Sequence, residues 1–588
     1  MRALRQGTTR PSPQQRQETS VTQPRVITKA LGLLLATALG GLSGCNGNGD
    51  DTSSTDTTTP PASVELGIVK PTATCASLAS TNLVEIGGVG STISSATEGT
   101  VAINGKDTKF CTVEGTLAPA VGFRVRLPLE TWTQRTLDLG CGGLCGSISA
   151  AVDPGQAFGC PLVQSGGFVL ASTNMGHTNA EAAWSQDAQR RVDFAYRAVH
   201  ITNLAAKKLT LAFYGQAQKY AYFVGCSDGG REGLMAAQRY PTDYNGIVVG
   251  APAFLFQTQN SLLHGWGSRA NRDNGLTTGN VVMYPAKAAV LHRAVVAACD
   301  AQDGQTDGLL SDPRLCGYDP AAIQCPDGAT DTSACLTATE VASARKFYAG
   351  PRDASTSRRV LVGTSQYGSE LNWSGVFVPA SDTPTTRLGS DNFVNGARSV
   401  IFTDATPPTI DELDFSEAFY AKLRPRHPLN DATNPDLTAF KAAGGRLILW
   451  HGWADQHISP IGTIAYYEAM QKVLGQSTMD GFMRLYLLPG VAHCGSGEGH
   501  DKLDLVTAAV NWVEKGTAPD GITTSRTDAG GAVTASRPVY PYPALAKLNS
   551  GADATQAGNY TKGPALFTSS VPDWAGIEFF NPYAAAPL

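Results

Sequence analysis

Short apolar runs recur along the chain, separated by polar or glycine-rich connections and by helix-length stretches. Examples are Thr210 to Gly215 (TLAFYG), Tyr220 to Gly225 (YAYFVG) and Tyr244 to Ala253 (YNGIVVGAPA). Continuous apolar runs are typical of strands that are buried on both faces of a largely parallel sheet. We therefore predict strands at these places, in an α/β sheet whose two faces are covered by helices.

This pattern is interrupted in the middle of the chain. From about residue 254 to 437 the apolar runs weaken, and Pro, Asp, Thr and Cys become frequent. The strand signal returns at Gly444 to Gly452 (GGRLILWHG) and again within Phe482 to Gly495 (FMRLYLLPGVAHCG). We predict one α/β domain interrupted by a long insertion. The predicted ranges are 64–251 and 439–588 for the sheet domain and 252–438 for the insertion.

The N-terminus carries a separate signal. Positive residues precede the apolar run Ala30 to Leu42, which is too short to span a bilayer and suits the h-region of a signal peptide. The run ends in Leu-Ser-Gly-Cys45, which resembles a bacterial lipobox. We predict a lipoprotein-type signal peptide over residues 1–44, lipidation of Cys45 and a flexible linker over residues 45–63. The alternative is a simple secretory signal, with Cys45 incidental.

Net charge argues against one class of function, and the predicted export decides whether the cysteines can form disulfides. Residues 1–44 carry a net charge of +5 and the whole chain −5, so the remainder carries −10. A protein this acidic is a poor candidate for binding nucleic acid. Export permits disulfides. We expect a lipoprotein of the outer membrane or cell surface, or otherwise a secreted or periplasmic protein, with no membrane contact beyond the lipid. The oligomeric state is left open.

A candidate nucleophile follows the run Tyr220 to Gly225. The spacing Gly-x-Ser227-x-Gly is that of a nucleophile elbow, in which a strand turns sharply into a helix. A serine hydroxyl needs a base, and the base needs an orienting acid. In α/β-hydrolases the acid and then the histidine follow later strands. Asp455 and His493 each follow one of the two later apolar runs, so we predict a triad of Ser227, Asp455 and His493.

Cysteines adjoin both the predicted nucleophile and the predicted base. Cys226 precedes Ser227, and Cys494 follows His493. If the serine and the imidazole come within hydrogen-bond reach, the two cysteines also come close enough for a disulfide. Such a bond would tether nucleophile to base across the whole insertion. The alternative is a pair of unrelated buried thiols.

Acyl transfer also needs hydrogen-bond donors for the oxyanion. The backbone N–H of Asp228, directly after the nucleophile, is the first candidate. The glycine-rich stretch Asp138 to Ser147 (DLGCGGLCGS) is the candidate for the second, with Gly143 as the donor. The alternative is that these glycines only form a tight turn.

Taken together, these motifs resemble the tannase and feruloyl esterase family. The likeness runs through Val192 to Ala253, Leu447 to Pro460 (LILWHGWADQHISP) and Leu488 to Gly495 (LPGVAHCG). It implies an α/β-hydrolase fold in which the insertion 252–438 is a lid over the active site. It also implies a serine esterase acting on esters of aromatic acids, of galloyl or hydroxycinnamoyl type. Alternatives are the same mechanism on other esters, such as terephthalate monoesters, or a catalytically silent surface binding protein.

The resemblance further implies a structural calcium ion and several disulfides. The stretch CDAQDGQTDGLLSDPRLC has oxygen donors at regular spacing, as Ca²⁺ prefers, although a solvated acidic turn is the alternative. The implied ligands are the carboxylates of Asp300, Asp303 and Asp307 and the carbonyls of Gln305 and Leu309. The implied disulfides are Cys299–Cys316, Cys75–Cys111 and Cys325–Cys335. The cysteines left without a predicted partner are Cys141, Cys145 and Cys160. The lid aromatics that either contact a substrate ring or, as we favour, form the lid's own core include Trp266, Phe347, Tyr348, Trp373 and Phe377.

Overall fold

A computed structural model describes residues 65–584 except 104–105, 150, 154 and 182. The predicted signal peptide (1–44), Cys45 and the linker (45–63) lie outside the described residues. Within the described ranges, no helix combines the length and the apolar character needed to cross a membrane.

A nine-stranded sheet forms the centre of the described chain, in the order β1-β2-β3-β5-β4-β6-β7-β8-β9. Its strands are β1 (Thr92–Ile103), β2 (Lys106–Leu117), β3 (Val121–Pro128), β4 (Arg135–Leu139), β5 (Phe168–Thr173), β6 (Tyr220–Cys226), β7 (Gly246–Gly250), β8 (Arg446–Gly452) and β9 (Met483–Leu488). All neighbours from β5 through β9 pair in parallel. The strands β1, β2 and β3 and the pair β3–β5 are antiparallel, which departs from the largely parallel sheet predicted for the N-terminal part.

Apolar residues on both faces of the parallel strands are buried. In β6, the side chain of Tyr222 packs in the cluster on one face and that of Phe223 in the cluster on the other. In β7, Val248 and Val249 divide between the same two clusters. Because successive side chains of a strand point to opposite faces, a strand buried on both sides must be apolar throughout. This explains the continuous runs in the sequence.

Helices flank the sheet and build much of the insertion. Those of seven residues or more are α1 (Ala198–Tyr214), α2 (Asp228–Arg239), α3 (His264–Ala270), α4 (Pro285–Cys299), α5 (Ala338–Ala349), α6 (Gly389–Ile401), α7 (Pro460–Leu474) and α8 (Leu505–Lys515). The strand predicted at Thr210 to Gly215 is wrong, because this run is the C-terminal end of α1. Leu209 and Phe213 are buried four residues apart, and Gly215 ends the helix with φ 71°.

The chain between β7 and β8 forms the insertion, and these two strands are neighbours in the sheet. It contains α3 to α6 and has a hydrophobic cluster of its own. Of the five lid aromatics considered above, Phe347, Trp373 and Phe377 are buried in that cluster, while Trp266 and Tyr348 pack against it. These rings therefore serve the core of the insertion.

From Lys502 onward the chain adds two small antiparallel sheets, whose first strand precedes α8 and whose other strands follow it. Their strands are β10 (Lys502–Leu503), β11 (Ile522–Thr527), β12 (Val533–Val539), β13 (Leu545–Leu548) and β14 (Tyr560–Gly563). Strand β12 is linked to the insertion, because Arg537 forms a 2.7 Å ion pair with Asp307. The central sheet, its helices and the insertion between β7 and β8 together make an α/β-hydrolase fold with a large inserted segment.

Candidate active site

Ser227 lies at the sharp turn between β6 and α2, with φ 62° and ψ −122°. Two glycines permit this turn. A Cβ added to Gly225 would lie 2.6 Å from the carbonyl carbon of Gly229, and one added to Gly229 would lie 2.9 Å from the carbonyl oxygen of Cys141. Such contacts exclude any larger residue. The turn places Ser227, half-buried, at the N-terminus of α2 and on the wall of a cavity.

Asp455 and His493 meet beyond the ends of β8 and β9. His493 Nδ1 lies 2.7 Å from Asp455 Oδ2, and His493 lines the same cavity as Ser227. Since β8 and β9 are parallel neighbours, the loops after them start at the same edge of the sheet. The structure thus brings together the acid and the base that the sequence predicts, with the serine on the same cavity wall.

Asp455 is buried and has several hydrogen-bond donors. Its Oδ1 accepts the backbone N–H groups of His457 at 2.7 Å and Ile458 at 2.9 Å, and His451 Nε2 lies 3.1 Å from its Oδ2. Burial alone would raise the pKa of Asp455, but the His493 and His451 side chains hold this pKa far below its usual value. The carboxylate is therefore ionised and fixed, as an acid that orients a catalytic imidazole needs to be.

The disulfide between Cys226 and Cys494 is present, with a Cα–Cα distance of 5.9 Å. It joins the residue before Ser227 to the residue after His493. Cys494 itself adopts φ 58°, which turns the chain sharply at this point. The disulfide and the aspartate contact together fix His493 from two sides.

A cavity of about 690 Å³ opens beside Ser227. Gly143, predicted as an oxyanion donor, lines it together with Asp228. Gly143 has φ 63°, in the left-handed region that favours glycine, and the space where its Cβ would lie is open. Both predicted donors therefore border the space next to the nucleophile.

The far wall of the cavity comes partly from the insertion. Phe393 of α6 stacks on His264 with ring centroids 4.6 Å apart and meets His457 edge-on at 4.8 Å. The His457 ring is in turn 4.9 Å from that of His493. Burial lowers the pKa of His457 to about 4, and His493 contributes to the decrease. Sequence reasoning did not identify Phe393, because no local motif marks a contact made from so far along the chain.

A buried ion pair fixes the residue after the nucleophile. Arg231 donates to both carboxylate oxygens of Asp228, at 2.7 and 2.9 Å, and to the carbonyl oxygens of Ala195 and Phe194. Its guanidinium also lies 4.6 Å from the centre of the Phe194 ring. Bidentate arginine pairs impose a definite geometry, so the backbone N–H of Asp228 is held in place. Sequence reasoning did not identify Arg231.

The acidic loop after α4 is folded around its own carboxylates. Asp300 accepts backbone N–H groups of Asp307 and Gly308, and Asp303 accepts those of Gln305 and Ser311. The Gln305 Oε1 atom is buried without a hydrogen-bond partner. Several anionic oxygens and an unpaired neutral one on one loop are donors of the type that a hard cation prefers. The donor types fit a calcium ion, one oxygen of Asp307 is paired with Arg537, and the ion itself stays a prediction.

Four further disulfides complete the cysteine inventory of the described residues. Cys75–Cys111, Cys299–Cys316 and Cys325–Cys335 match the pairs implied by the family resemblance. Cys141–Cys145, for which the sequence offered no partner assignment, is the fourth. Cys160 is buried and free.

Comparisons with known proteins agree with this architecture. The family model for tannase and feruloyl esterase matches residues 105–562. Mono(2-hydroxyethyl) terephthalate hydrolase of Piscinibacter sakaiensis is 30% identical over 77% of this chain and 84% of its own length. A probable feruloyl esterase B-2 of Neosartorya fischeri is 31% identical over 68% of this chain and 76% of its own.

Solved structures show the same fold. Feruloyl esterase B from Aspergillus oryzae superposes with a TM-score of 0.68 at 25% identity, covering 83% of this chain and all of that one. Tannin acyl hydrolase from Aspergillus niger superposes with a TM-score of 0.64 at 21% identity, covering 87% of this chain and 98% of that one. The chain therefore belongs to the tannase and feruloyl esterase family and is a carboxylic-ester hydrolase.

Proposed function

We propose that this hydrolase is a serine esterase that cleaves esters of aromatic acids of galloyl or hydroxycinnamoyl type. Ser227 is its nucleophile, His493 its base and Asp455 the acid that orients the imidazole. The main support is the 2.7 Å contact between His493 and Asp455, in a histidine loop joined by a disulfide to the residue before Ser227. Membership in a family of hydrolases disfavours the alternative of a catalytically silent binding protein.

The mechanism follows from these positions. His493 takes the proton of Ser227 Oγ as this atom attacks the ester carbonyl, and the N–H groups of Gly143 and Asp228 stabilise the oxyanion. The N-terminus of α2 adds its positive dipole end at the same place. His493 then protonates the leaving alcohol, and a water molecule activated by His493 hydrolyses the acyl-enzyme.

The charge of the cavity favours an uncharged aromatic acyl group. None of its lining residues, all in the described part of the chain, is lysine or arginine. The lining includes the amides Gln259, Asn260 and Asn392 and the ring of Phe393. His457, with a pKa of about 4, is neutral at physiological pH. A phenolic ring finds apolar contact and hydrogen bonds here, whereas the free carboxylate of a terephthalate monoester finds no positive partner.

A matched substrate set tests the proposal. We expect hydrolysis of methyl ferulate or methyl gallate, and a kcat/KM for dimethyl terephthalate about 10 to 100 times that for monomethyl terephthalate, since an unpaired carboxylate is costly to bury. A fluorophosphonate probe should label the wild-type protein but not the Ser227→Ala variant. Absence of labelling in the wild type would contradict the serine mechanism, and a preference for the monoester would contradict the assigned acyl group.

We also propose that the loop after α4 binds a structural calcium ion. The ligands are the carboxylates of Asp300, Asp303 and Asp307 and the carbonyls of Gln305 and Leu309. The fit described above and the disulfide that closes the loop between Cys299 and Cys316 support this assignment. A bound calcium ion would neutralise the carboxylates of this loop, and no step of the serine mechanism requires it.

Export and the role of the insertion remain part of the same proposal. Five disulfides in the described residues favour an oxidising compartment. The lipobox at Cys45 favours a lipid anchor at the outer membrane or cell surface over a simple secreted or periplasmic form, and metabolic labelling with a fatty acid, with a Cys45→Ser variant as control, would test it. The segment 252–438 acts as the lid, because its residues Asn392 and Phe393 line the cavity.

A further inference from the structure

The loop that carries Gly143 is closed on itself by a small disulfide. Cys141 and Cys145 are bonded, and only Gly142, Gly143 and Leu144 lie between them. The Cys145 N–H donates to the Gly142 carbonyl at 3.0 Å, so the segment is a tight turn. Whatever supports this disulfide therefore fixes the direction of the Gly143 N–H.

Residues of helix α2 contact this turn directly. The Gly229 N–H donates to the Cys141 carbonyl at 2.7 Å. Further along the helix, Glu232 Oε1 lies 2.7 Å from Cys141 Sγ and 3.4 Å from Cys145 Sγ, and it accepts the Cys141 N–H at 3.4 Å. One carboxyl group thus contacts both sulfurs and the backbone of the turn.

In the contact between Glu232 and the disulfide, the hydrogen-bond donor has to be the carboxyl group. A disulfide sulfur carries no hydrogen and can only accept, so a close oxygen–sulfur contact is attractive when the carboxyl O–H points at the sulfur. Glu232 is 1% exposed, and its Oε2 has no hydrogen-bond partner. The nearby Arg231 is already bonded twice to Asp228. Burial raises the pKa of Glu232 well above its usual value, and the Asp228 carboxylate adds to the rise.

The same side chains do not make a metal site. Ligand atoms of Cys141, Cys145, Asp228 and Glu232 all lie within 4.8 Å of one another. The two sulfurs, however, are bonded to each other, and Asp228 is paired with Arg231. These cysteines therefore offer no thiolate to a metal, and the contact between Glu232 and the disulfide is a structural one.

We propose that Glu232 is a positioning residue for the esterase reaction, donating its carboxyl O–H to the Cys141–Cys145 disulfide and so holding the Gly143 N–H toward the oxyanion. The inference rests on the proposed function, because it takes Ser227 as nucleophile and Gly143 as donor. Glu232 touches neither substrate nor reacting atoms in this scheme. It acts only through the turn.

Substitutions that separate shape from hydrogen bonding test the proposal. Glu232→Gln keeps the size and supplies an N–H donor, so we expect kcat within about twofold of wild type and the same pH profile between about pH 6 and 9. Glu232→Leu keeps most of the volume without a donor, so we expect kcat to fall about 10- to 100-fold at nearly constant KM, since oxyanion donors act in the transition state. Gln238→Leu, on the same helix but bonded to Ala432 and Tyr466, is the control for helix damage.

Boronic acid binding and a variant without the disulfide provide two further tests of the proposal. An aryl boronic acid, which becomes tetrahedral on the serine, should bind Glu232→Leu about 10-fold or more weakly, while fluorophosphonate labelling persists. If Glu232→Leu does not fold, the double variant Cys141→Ala/Cys145→Ala, which removes the disulfide, should show the same loss of kcat at nearly constant KM. Wild-type kcat in whichever variant folds, or a Glu232→Gln variant as impaired as Glu232→Leu, overturns the inference. If the wild type itself is not labelled, the serine mechanism fails instead.

Discussion

The imidazole of His292 connects the insertion to the loop after β9. His292 lies in α4, with Nδ1 2.8 Å from Glu370 and Nε2 2.8 Å from Glu498. Glu370 belongs to the insertion and is fully buried, whereas Glu498 follows His493 in the loop after β9. A protonated imidazole between two carboxylates therefore connects the insertion to the loop that carries the proposed base.

The contribution of the His292 bridge to the free energy of unfolding follows from the pKa of its imidazole. Burial alone would lower the pKa of His292, but the two carboxylates raise it from 6.5 to about 9. The folded state thus keeps a proton that the unfolded state loses between these two pH values. The bridge stabilises the folded protein fully below about pH 6.5, and its contribution disappears as pH rises through about 9. At pH 7 the contribution is about 2.5 kcal/mol.

We therefore expect the His292→Gln variant to be less stable than wild type by about 2.5 kcal/mol at pH 7, and nearly as stable as wild type at pH 10. For a chain of this size, that difference is a decrease of about 2 °C in Tm. Calorimetry of both proteins at pH 6, 7, 8, 9 and 10 measures it. The difference in Tm should shrink steadily between pH 7 and pH 10.

The Glu498→Gln variant serves as a matched control, since it removes one of the two carboxylates. It should show a smaller loss at pH 7 and an earlier disappearance of the loss as pH rises, because the pKa of His292 would be less elevated. A Tm difference between wild type and His292→Gln that stays constant from pH 7 to pH 10 would refute the charged bridge. The histidine would then contribute only through packing.

Three more outcomes follow from the site. The double variant Cys226→Ser/Cys494→Ser should lose about 3 to 5 kcal/mol of unfolding free energy and some kcat, as calorimetry and kinetics would show; full stability and activity would refute the tether. Chelation should lower Tm by several degrees while a fresh sample keeps its kcat, and an Asp303→Asn variant should lose the response to calcium; an unchanged Tm would argue against the ion. Asn392→Arg should raise kcat/KM for monomethyl relative to dimethyl terephthalate about 10-fold; no change would mean that Asn392 does not face the acyl group.

Local sequence patterns were sufficient to predict that Ser227, Asp455 and His493 lie near one another at one edge of the sheet, and the structure places Asp455 against His493 and both Ser227 and His493 on one cavity. Ser227, Asp455 and His493 each come after an apolar run, and these three runs form β6, β8 and β9 in the parallel part of the sheet. Paired cysteines strengthened the assignment. These signals depend only on neighbours in the sequence, so a single chain contains them.

Other features depend on contacts that no short window contains. The run Thr210 to Gly215 is apolar enough for a strand, and only its packing at the end of α1 identifies it as helix. Phe393 reaches the cavity from the insertion, far from Ser227 in the chain. Glu232 looks like an ordinary helix residue until the turn of Cys141 and Cys145 is seen to rest on it. In each case, tertiary packing gave the residue its role.

The insertion leaves the sheet after β7 and returns at its neighbour β8, while the Cys226–Cys494 link clamps the reaction centre from outside that segment. In the proposed function, the insertion supplies part of the substrate-binding wall, and the rest of the chain supplies the reacting groups. A relative's segment grafted between these two strands would be expected to bring new selectivity to an unchanged bond-breaking apparatus. Under that proposal, substrate selectivity and the bond-breaking residues can change independently of each other during evolution.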